Sequence, residues 1–228
     1  MYKYLLFDLD NTLLDFTKAE RRSLEKTFNK YNVPITESNI ASFQEINHMY
    51  WHMFERKEIS KSDLVVFRFR DFFMQFEEFK NISPKEVNCF YLCSLTDAAE
   101  EMPYSNYILS ELEDDYEIIV VTNGVKNTQL KRLQKSTFFN KISKIYVSES
   151  VGANKPEKEF FDYVINDLNI KDLKEVLLIG DSIEADIIGG INYGIDTVWY
   201  NYKDKATEVK PKYIIKDLRE LIGILKDN

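Results

Sequence analysis

The sequence predicts an α/β fold: a parallel sheet covered by helices on both faces, with a helical bundle inserted after its first strand. Three observations carry that reading. Beyond residue 103, short and nearly continuous apolar runs alternate with amphipathic stretches, as strands buried on both faces of a parallel sheet require. A similar run, KYLLFDL at residues 3–9, opens the chain and is expected to join the same sheet. Between the two, residues 16–99 follow a helical period almost throughout.

Within that insert the apolar residues space four helices. Leu24, Phe28 and Tyr31 mark the first, and Ile46, Met49/Tyr50 and Met53/Phe54 the second. Val65, Phe69, Phe72, Phe76 and Phe79 mark the third, and Val87, Tyr91, Leu95 and Ala98 the fourth. The polar, proline-containing stretches NVPITESN and KNISPKE separate them. Four such helices can bury their apolar faces on one another. Later strands are expected at Glu117–Thr122, Lys144–Ser148, Glu175–Gly180, Thr197–Tyr200 and Tyr213–Ile215. Helices are expected at Val125–Ser136, Glu157–Leu168, Glu184–Tyr193 and Asp217–Leu225. The expected organisation is therefore a sheet unit of residues 1–15 and 100–228 and a helical unit of residues 16–99.

Composition narrows the function. With 44% hydrophobic and 30% charged residues, the 228-residue chain is globular rather than disordered. A net charge of −8 and dispersed basic residues argue against a nucleic-acid polymer as partner, though not against a small anion. The first apolar run is too short for a signal peptide and no stretch reads as a membrane span, so a cytoplasmic protein is expected. Cys89 and Cys93, four apart on the fourth helix, read as packed thiols in a reducing compartment. His48 and His52 have zinc-clasp spacing, but lack the glutamate of HExxH and a third ligand nearby. Arg68 and Arg70 read as solvated charge.

Ligands of open parallel sheets bind beyond the carboxyl ends of the strands, so the residues that follow each strand matter most. These are Asp8-Leu9-Asp10, Thr122-Asn123-Gly124, Lys155-Pro156, and Gly180-Asp181 with Asp186 close behind. Each is weak alone: Asp-x-Asp and Thr-Asn-Gly are common in turns, and acids often cap helices. Together, each behind an apolar strand, they converge on one sheet edge. Hard oxygen ligands without His or Cys suit Mg²⁺. Thr122 and Asn123 at a helix start, with Lys155 and with Pro156 in the first turn of the next helix, make an anion seat. The combination describes a pocket for a phosphate beside magnesium.

In order, DLDNTL, TNG, KP and GDSIEAD resemble the four motifs of the haloacid dehalogenase superfamily of aspartate-nucleophile phosphatases. The helical insert resembles the C1-type cap of that superfamily, placed after the first strand of a Rossmann-like core. The longer stretches TNGVKNTQLKRLQKS, GANKPEKEFFDYV and GDSIEADIIGGINYGIDTVWYN are similar to the YjjG-type pyrimidine 5′-nucleotidases. The resemblance implies Asp8 as nucleophile and Asp10 as the acid and base for leaving group and water. It implies Mg²⁺ on Asp8, the Asp10 backbone carbonyl and Asp181, supported by Asp186, with Thr122, Asn123 and Lys155 on the phosphoryl oxygens. It further implies a small phosphorylated metabolite, with a nucleoside monophosphate favoured. Asn11 and Phe16 flank the start of the insert and are candidate specificity residues, and Phe16, Tyr50 or Trp51 could stack on a base.

Competing readings follow from the same residues. A sugar-phosphate phosphatase or mutase keeps both acids. A haloacid dehalogenase does without the second acid and magnesium, so Asp10 speaks against it. A response-regulator receiver has no room for the insert, and a non-catalytic scaffold is opposed by the presence of Asp8, Asp10 and Asp181 together.

Overall fold

A computed structural model describes residues 1–226. The chain forms two compact units: Met1–Phe16 with the chain from Ala99 onward, and Thr17–Ala98.

The helical unit contains α1 (Phe16–Lys30, entering from the sheet unit), α2 (Glu37–Glu55), α3 (Lys61–Phe73) and α4 (Pro84–Leu95). Polar caps set three of the starts. Thr36, Ser60 and Ser83 accept from the backbone N–H groups of Asn39, Asp63 and Glu86, and Pro84 occupies the first turn, where no N–H is needed. The interior is aromatic: Phe28 stacks on Phe72 at 5.1 Å, and Phe43 lies 4.6 Å from Phe69.

Several expectations for this unit are corrected. Tyr31, Phe76, Phe79 and Ala98 lie beyond the ends of α1, α3 and α4 rather than inside them. Met49 is exposed, because the buried face of α2 runs through Ile40, Phe43, Asn47, Tyr50 and Phe54. Cys89 and Cys93 are exposed rather than packed, since α4 buries Val87, Asn88, Tyr91, Ser94 and Leu95 and leaves the cysteines on its outer side. The imidazoles of His48 and His52 meet each other, Nε2 to Nε2 at 3.1 Å.

Arg68 is not solvated. It is buried and donates to Asn47 Oδ1 at 2.9 Å and Asn88 Oδ1 at 2.7 Å, while Asn47 Nδ2 donates to Glu20 Oε1 at 2.7 Å. Burial holds the Arg68 pKa below the ordinary arginine value, against the pull of Tyr91 and Glu20. Tyr50 is also buried, with its hydroxyl donating to Asp71, so its ring packs the bundle instead of facing a base.

The other unit is built on a six-stranded, all-parallel sheet. Its strands are β1 (Tyr4–Phe7), β2 (Glu117–Thr122), β3 (Lys144–Val147), β4 (Val176–Gly180), β5 (Asp196–Tyr200) and β6 (Tyr213–Ile215), in the order β3-β2-β1-β4-β5-β6. Alternation divides the strand residues between two cores. Leu5, Phe7, Ile118, Val120, Leu177 and Ile179 pack under one layer of helices, and Leu6, Ile119, Val121, Val176 and Leu178 under the other. The first layer holds α5 (Ser105–Leu112), which had no sequence expectation, α6 (Lys126–Gln134) and α10 (Leu221–Lys226). The second layer rests on α8 (Lys158–Asp167); α7 (Ser148–Val151) and α9 (Gly189–Tyr193) are short.

The α-helix expected from Glu184 divides into a π-helical turn, Ile183–Ile188, followed by α9. Such turns are rare and gather at functional sites. Pro156 precedes α8 by two residues, so it does not sit in the helix's first turn; the Lys155–Pro156 bond is cis. Strand order reverses direction about β1, whose neighbours are β2 and β4, which makes the carboxyl ends of these three strands the switch point. Among the described residues, no helix is long and apolar enough to cross a membrane.

Candidate active site

β1 ends at Phe7, in register with Val120 of β2 and Ile179 of β4, so the residues that follow all three strands emerge together. Asp8 continues β1, its N–H bonded to the Ile179 carbonyl at 2.9 Å, and its side chain is buried. Asp181 follows β4, held by Trp199 Nε1, which donates to the Asp181 carbonyl at 3.1 Å. Asp186, on the π-helical turn, is completely buried. Ligand oxygens of Asp8, Asp181 and Asp186 lie within 4.8 Å of one another.

Gly180 explains how Asp186 gets so close. A Cβ at Gly180 would lie 2.1 Å from Asp186 Oδ2, so only a residue without a side chain leaves room for that carboxylate. Asp186 Oδ2 accepts from the N–H of Ser182 at 3.1 Å, which folds the turn back over the end of β4.

Lys155 neutralises part of this cluster. Its ammonium donates to Asp8 Oδ1 and Asp186 Oδ1, both at 2.7 Å, and to the Val121 carbonyl at 2.8 Å. All three N–H bonds of the ammonium are thereby used within the protein. Burial works against the charged lysine, but the Asp186 and Asp8 carboxylates outweigh it and hold its pKa above the usual value. Burial pushes the Asp8 carboxyl up to about 7, with Asp186 and Asp10 adding to the rise and Lys155 opposing it. Asp181 is also raised well above an ordinary carboxyl, by desolvation and by the charges of Asp8 and Asp186, with Lys203 and Lys205 pulling the other way.

Thr122 and Asn123 stand at the end of β2 and precede α6. Thr122 Oγ1 accepts from the Gly124 N–H at 3.1 Å and from Gln129 Nε2 at 2.9 Å, which leaves its own proton to donate. The Asn123 amide grips the backbone of Lys155: Nδ2 donates to its carbonyl at 2.7 Å, and Oδ1 accepts from its N–H at 2.9 Å. Asn123 therefore ties the second strand end to the third, and what it offers an anion is backbone rather than side chain.

Asp10 is partly exposed and bound to two residues that were not singled out in the sequence. Gln129 Nε2 donates to its Oδ2 at 2.6 Å, and Arg132 Nη1 donates to its Oδ1. Asn11 takes the left-handed conformation at φ 60° in the turn between Asp10 and Leu14, a geometry asparagine tolerates. The Phe16 ring lies 5.6 Å from the Arg132 guanidinium.

Buried or half-buried carboxylates with oxygen donors only, two of them raised by desolvation and further by neighbouring acids, are a donor set that fits a hard divalent cation. The model of the haloacid dehalogenase-like hydrolase family matches residues 5–200. The chain belongs to that family. As a haloacid dehalogenase-like hydrolase it is 35% identical to the HAD-hydrolase YfnB of Bacillus subtilis over 226 residues, covering 98% of this chain and 95% of YfnB. It is 33% identical to the pyrimidine 5′-nucleotidase PynA of Streptococcus pneumoniae over 100% of this chain and 96% of PynA. It is 28% identical to the pyrimidine 5′-nucleotidase YjjG of Escherichia coli over 98% of each. A crystal structure of YfnB bound to magnesium superposes with a TM-score of 0.93, covering 98% of both chains, and was described as revealing interdomain movement.

Proposed function

We propose that this hydrolase is a Mg²⁺-dependent phosphomonoesterase that works through an aspartyl-phosphate and dephosphorylates nucleoside monophosphates, pyrimidine nucleotides foremost. The observation that carries the chemistry is the group of three acids, Asp8, Asp181 and Asp186, gathered at the switch point with the proton-transfer residue, Asp10, two positions after Asp8. The substrate class rests on the full-length similarity to PynA and YjjG. The helical unit is assigned the part of a cap that selects the leaving group, and the cytoplasm is the expected compartment.

Asp8 and Asp181, supported by Asp186 and the Asp10 carbonyl, would hold the ion, which when bound screens the negative nucleophile from the negative phosphate. The chain's own residues divide the rest. Asp8 attacks phosphorus, forming an O–P bond as the bond to the nucleoside oxygen breaks, and Asp10 gives that oxygen its proton. Water then attacks the phosphorus of the aspartyl-phosphate and loses a proton to Asp10, and Asp8 leaves as a carboxylate. Phosphate is released and both acids return to their starting states. Thr122, through its hydroxyl, and the backbone at Asn123 bind the transferring oxygens, while Lys155 keeps Asp8 in place and lowers the negative potential around it.

The test is a panel of nucleoside monophosphates and sugar phosphates, each with Mg²⁺, with EDTA, and with Asp8→Asn. Hydrolysis of pyrimidine nucleotides that stops with EDTA and in Asp8→Asn is the expected result. A preference for sugar phosphates would overturn the substrate class, and an active Asp8→Asn would overturn the mechanism.

A further inference from the structure

We infer that Gln129 and Arg132 are positioning residues that hold the Asp10 carboxylate for proton transfer, and that Gly124 lacks a side chain so that Gln129 can reach it. This deepens the phosphomonoesterase reading and rests on it. Asp10 stands three residues beyond the end of β1 and opens the turn that runs to Leu14. A proton-transfer group is effective only when held close to its productive geometry.

The structure supplies a brace from the other side of the switch point. Gln129 and Arg132, three residues apart, share one face of α6. Each takes a different oxygen of Asp10: Gln129 Nε2 donates to Oδ2 at 2.6 Å and Arg132 Nη1 to Oδ1. The two are themselves linked, Arg132 Nη1 to Gln129 Oε1 at 3.2 Å, and Gln129 Nε2 also donates to Thr122 Oγ1 at 2.9 Å. The brace therefore ties the proton-transfer acid to the threonine assigned to the phosphoryl group. Two fixed donors on two oxygens define the plane of the carboxylate and leave it lone pairs for the leaving oxygen or water.

Burial argues that this is more than a surface ion pair. Arg132 has no exposed surface and Gln129 is 2% exposed. Desolvating a guanidinium is expensive, and an apolar side chain of similar volume would pack the site at lower cost, so the charge contributes orientation rather than stability. Gly124 is the independent sign. A Cβ there would fall 2.1 Å from Gln129 Nε2 and 2.5 Å from its Cδ, in the path of the amide that reaches Asp10.

The experiment compares two leaving groups in the first turnover, where release of the alcohol reports formation of the aspartyl-phosphate. A nucleoside alkoxide needs a proton from Asp10, whereas p-nitrophenolate leaves without one. In Arg132→Met, and in Gln129→Leu, first-turnover release from a pyrimidine nucleoside monophosphate should slow by on the order of 10–100-fold, part of what a general acid contributes. Release from p-nitrophenyl phosphate should change less than about threefold. Arg132→Lys should recover part of the loss. Gly124→Ala, which displaces Gln129 and keeps every donor, should show the same selectivity, and it carries the comparison if Arg132→Met shows no cooperative thermal transition. Equal slowing of both phosphates, or of neither, overturns the inference. A wild-type protein inactive on both would instead end the phosphomonoesterase reading.

Discussion

The ammonium of Lys155 lies 2.7 Å from the carboxylate of Asp8, although 147 positions separate them in the chain. The same nitrogen holds Asp186 at the same distance, so one buried cation stands between two buried anions. Removing it leaves both carboxylates desolvated and facing each other. Lys155→Met should therefore lower the unfolding free energy by about 3–5 kcal/mol in metal-free buffer, the usual cost of breaking a buried pair. Mg²⁺ should restore more stability to the variant than it adds to the wild type, because a cation then replaces the missing one. Urea unfolding with and without MgCl₂ measures both. A loss below about 1 kcal/mol would show that the acids do not depend on the lysine.

Raised carboxyl groups predict how metal binding and stability vary with pH. Asp8 sits at about 7 in the folded protein against 3.8 for the ordinary group, and Asp181 is raised in the same direction. Between those limits the folded state holds protons that the unfolded chain has released. Their contribution to stability is thus complete below about 4 and disappears as pH rises through 7. Metal-free protein should lose thermal stability across that interval. Mg²⁺ binds the deprotonated acids, so its affinity should rise over the same interval and level off above it. Thermal melts from pH 5 to 8, with EDTA and with Mg²⁺, are the measurement; metal-free stability that rises with pH would contradict the assignment.

At Gly180 the prediction is steric. Alanine would place a methyl group 2.1 Å from Asp186 Oδ2 and displace that carboxylate from Lys155 and from the Ser182 N–H. Gly180→Ala should weaken Mg²⁺ binding about 10–100-fold, as loss of a supporting partner commonly does. Isothermal titration reads it directly, and an unchanged affinity would remove Asp186 from the account.

In the helical unit, the buried guanidinium of Arg68 is held by two asparagine oxygens. Arg68→Ala removes the donor, leaves Asn47 and Asn88 with unsatisfied buried oxygens, and opens a cavity beside Tyr91 and Phe69, whose rings lie 4.9 and 5.4 Å from the guanidinium. The expected loss is about 2–4 kcal/mol in urea unfolding. A loss under about 0.5 kcal/mol would place Arg68 among ordinary surface charges.

Most of the sheet and the convergence of its loops were legible in the sequence, because each motif stands directly behind an apolar run whose end is easy to read. Asp8 after YLLF and Asp181 after VLLIG are the clearest cases. What was not legible depends on side chains that cross between elements. Arg68 looked like one of two alternating surface charges, and only the polar residues Asn47 and Asn88 within otherwise apolar stripes hinted at a buried partner. Gln129 and Arg132 share the buried stripe of α6 with Leu133, a pattern readable in principle but usual for a solvated face. The π-helical turn was hidden because an ordinary helix and a π turn share their first residues. It forms where Asp186 folds back to Ser182, a contact that sequence periodicity does not encode.

The aspartyl-phosphate itself is the most direct object to measure. Acid quenching during turnover of a nucleoside monophosphate, followed by peptide mass spectrometry, should find one phosphoryl group on the peptide that carries Asp8, and none in Asp8→Asn. A phosphoryl group on another residue, or steady turnover with none trapped on Asp8 while Asp8→Asn stays active, would contradict the central claim.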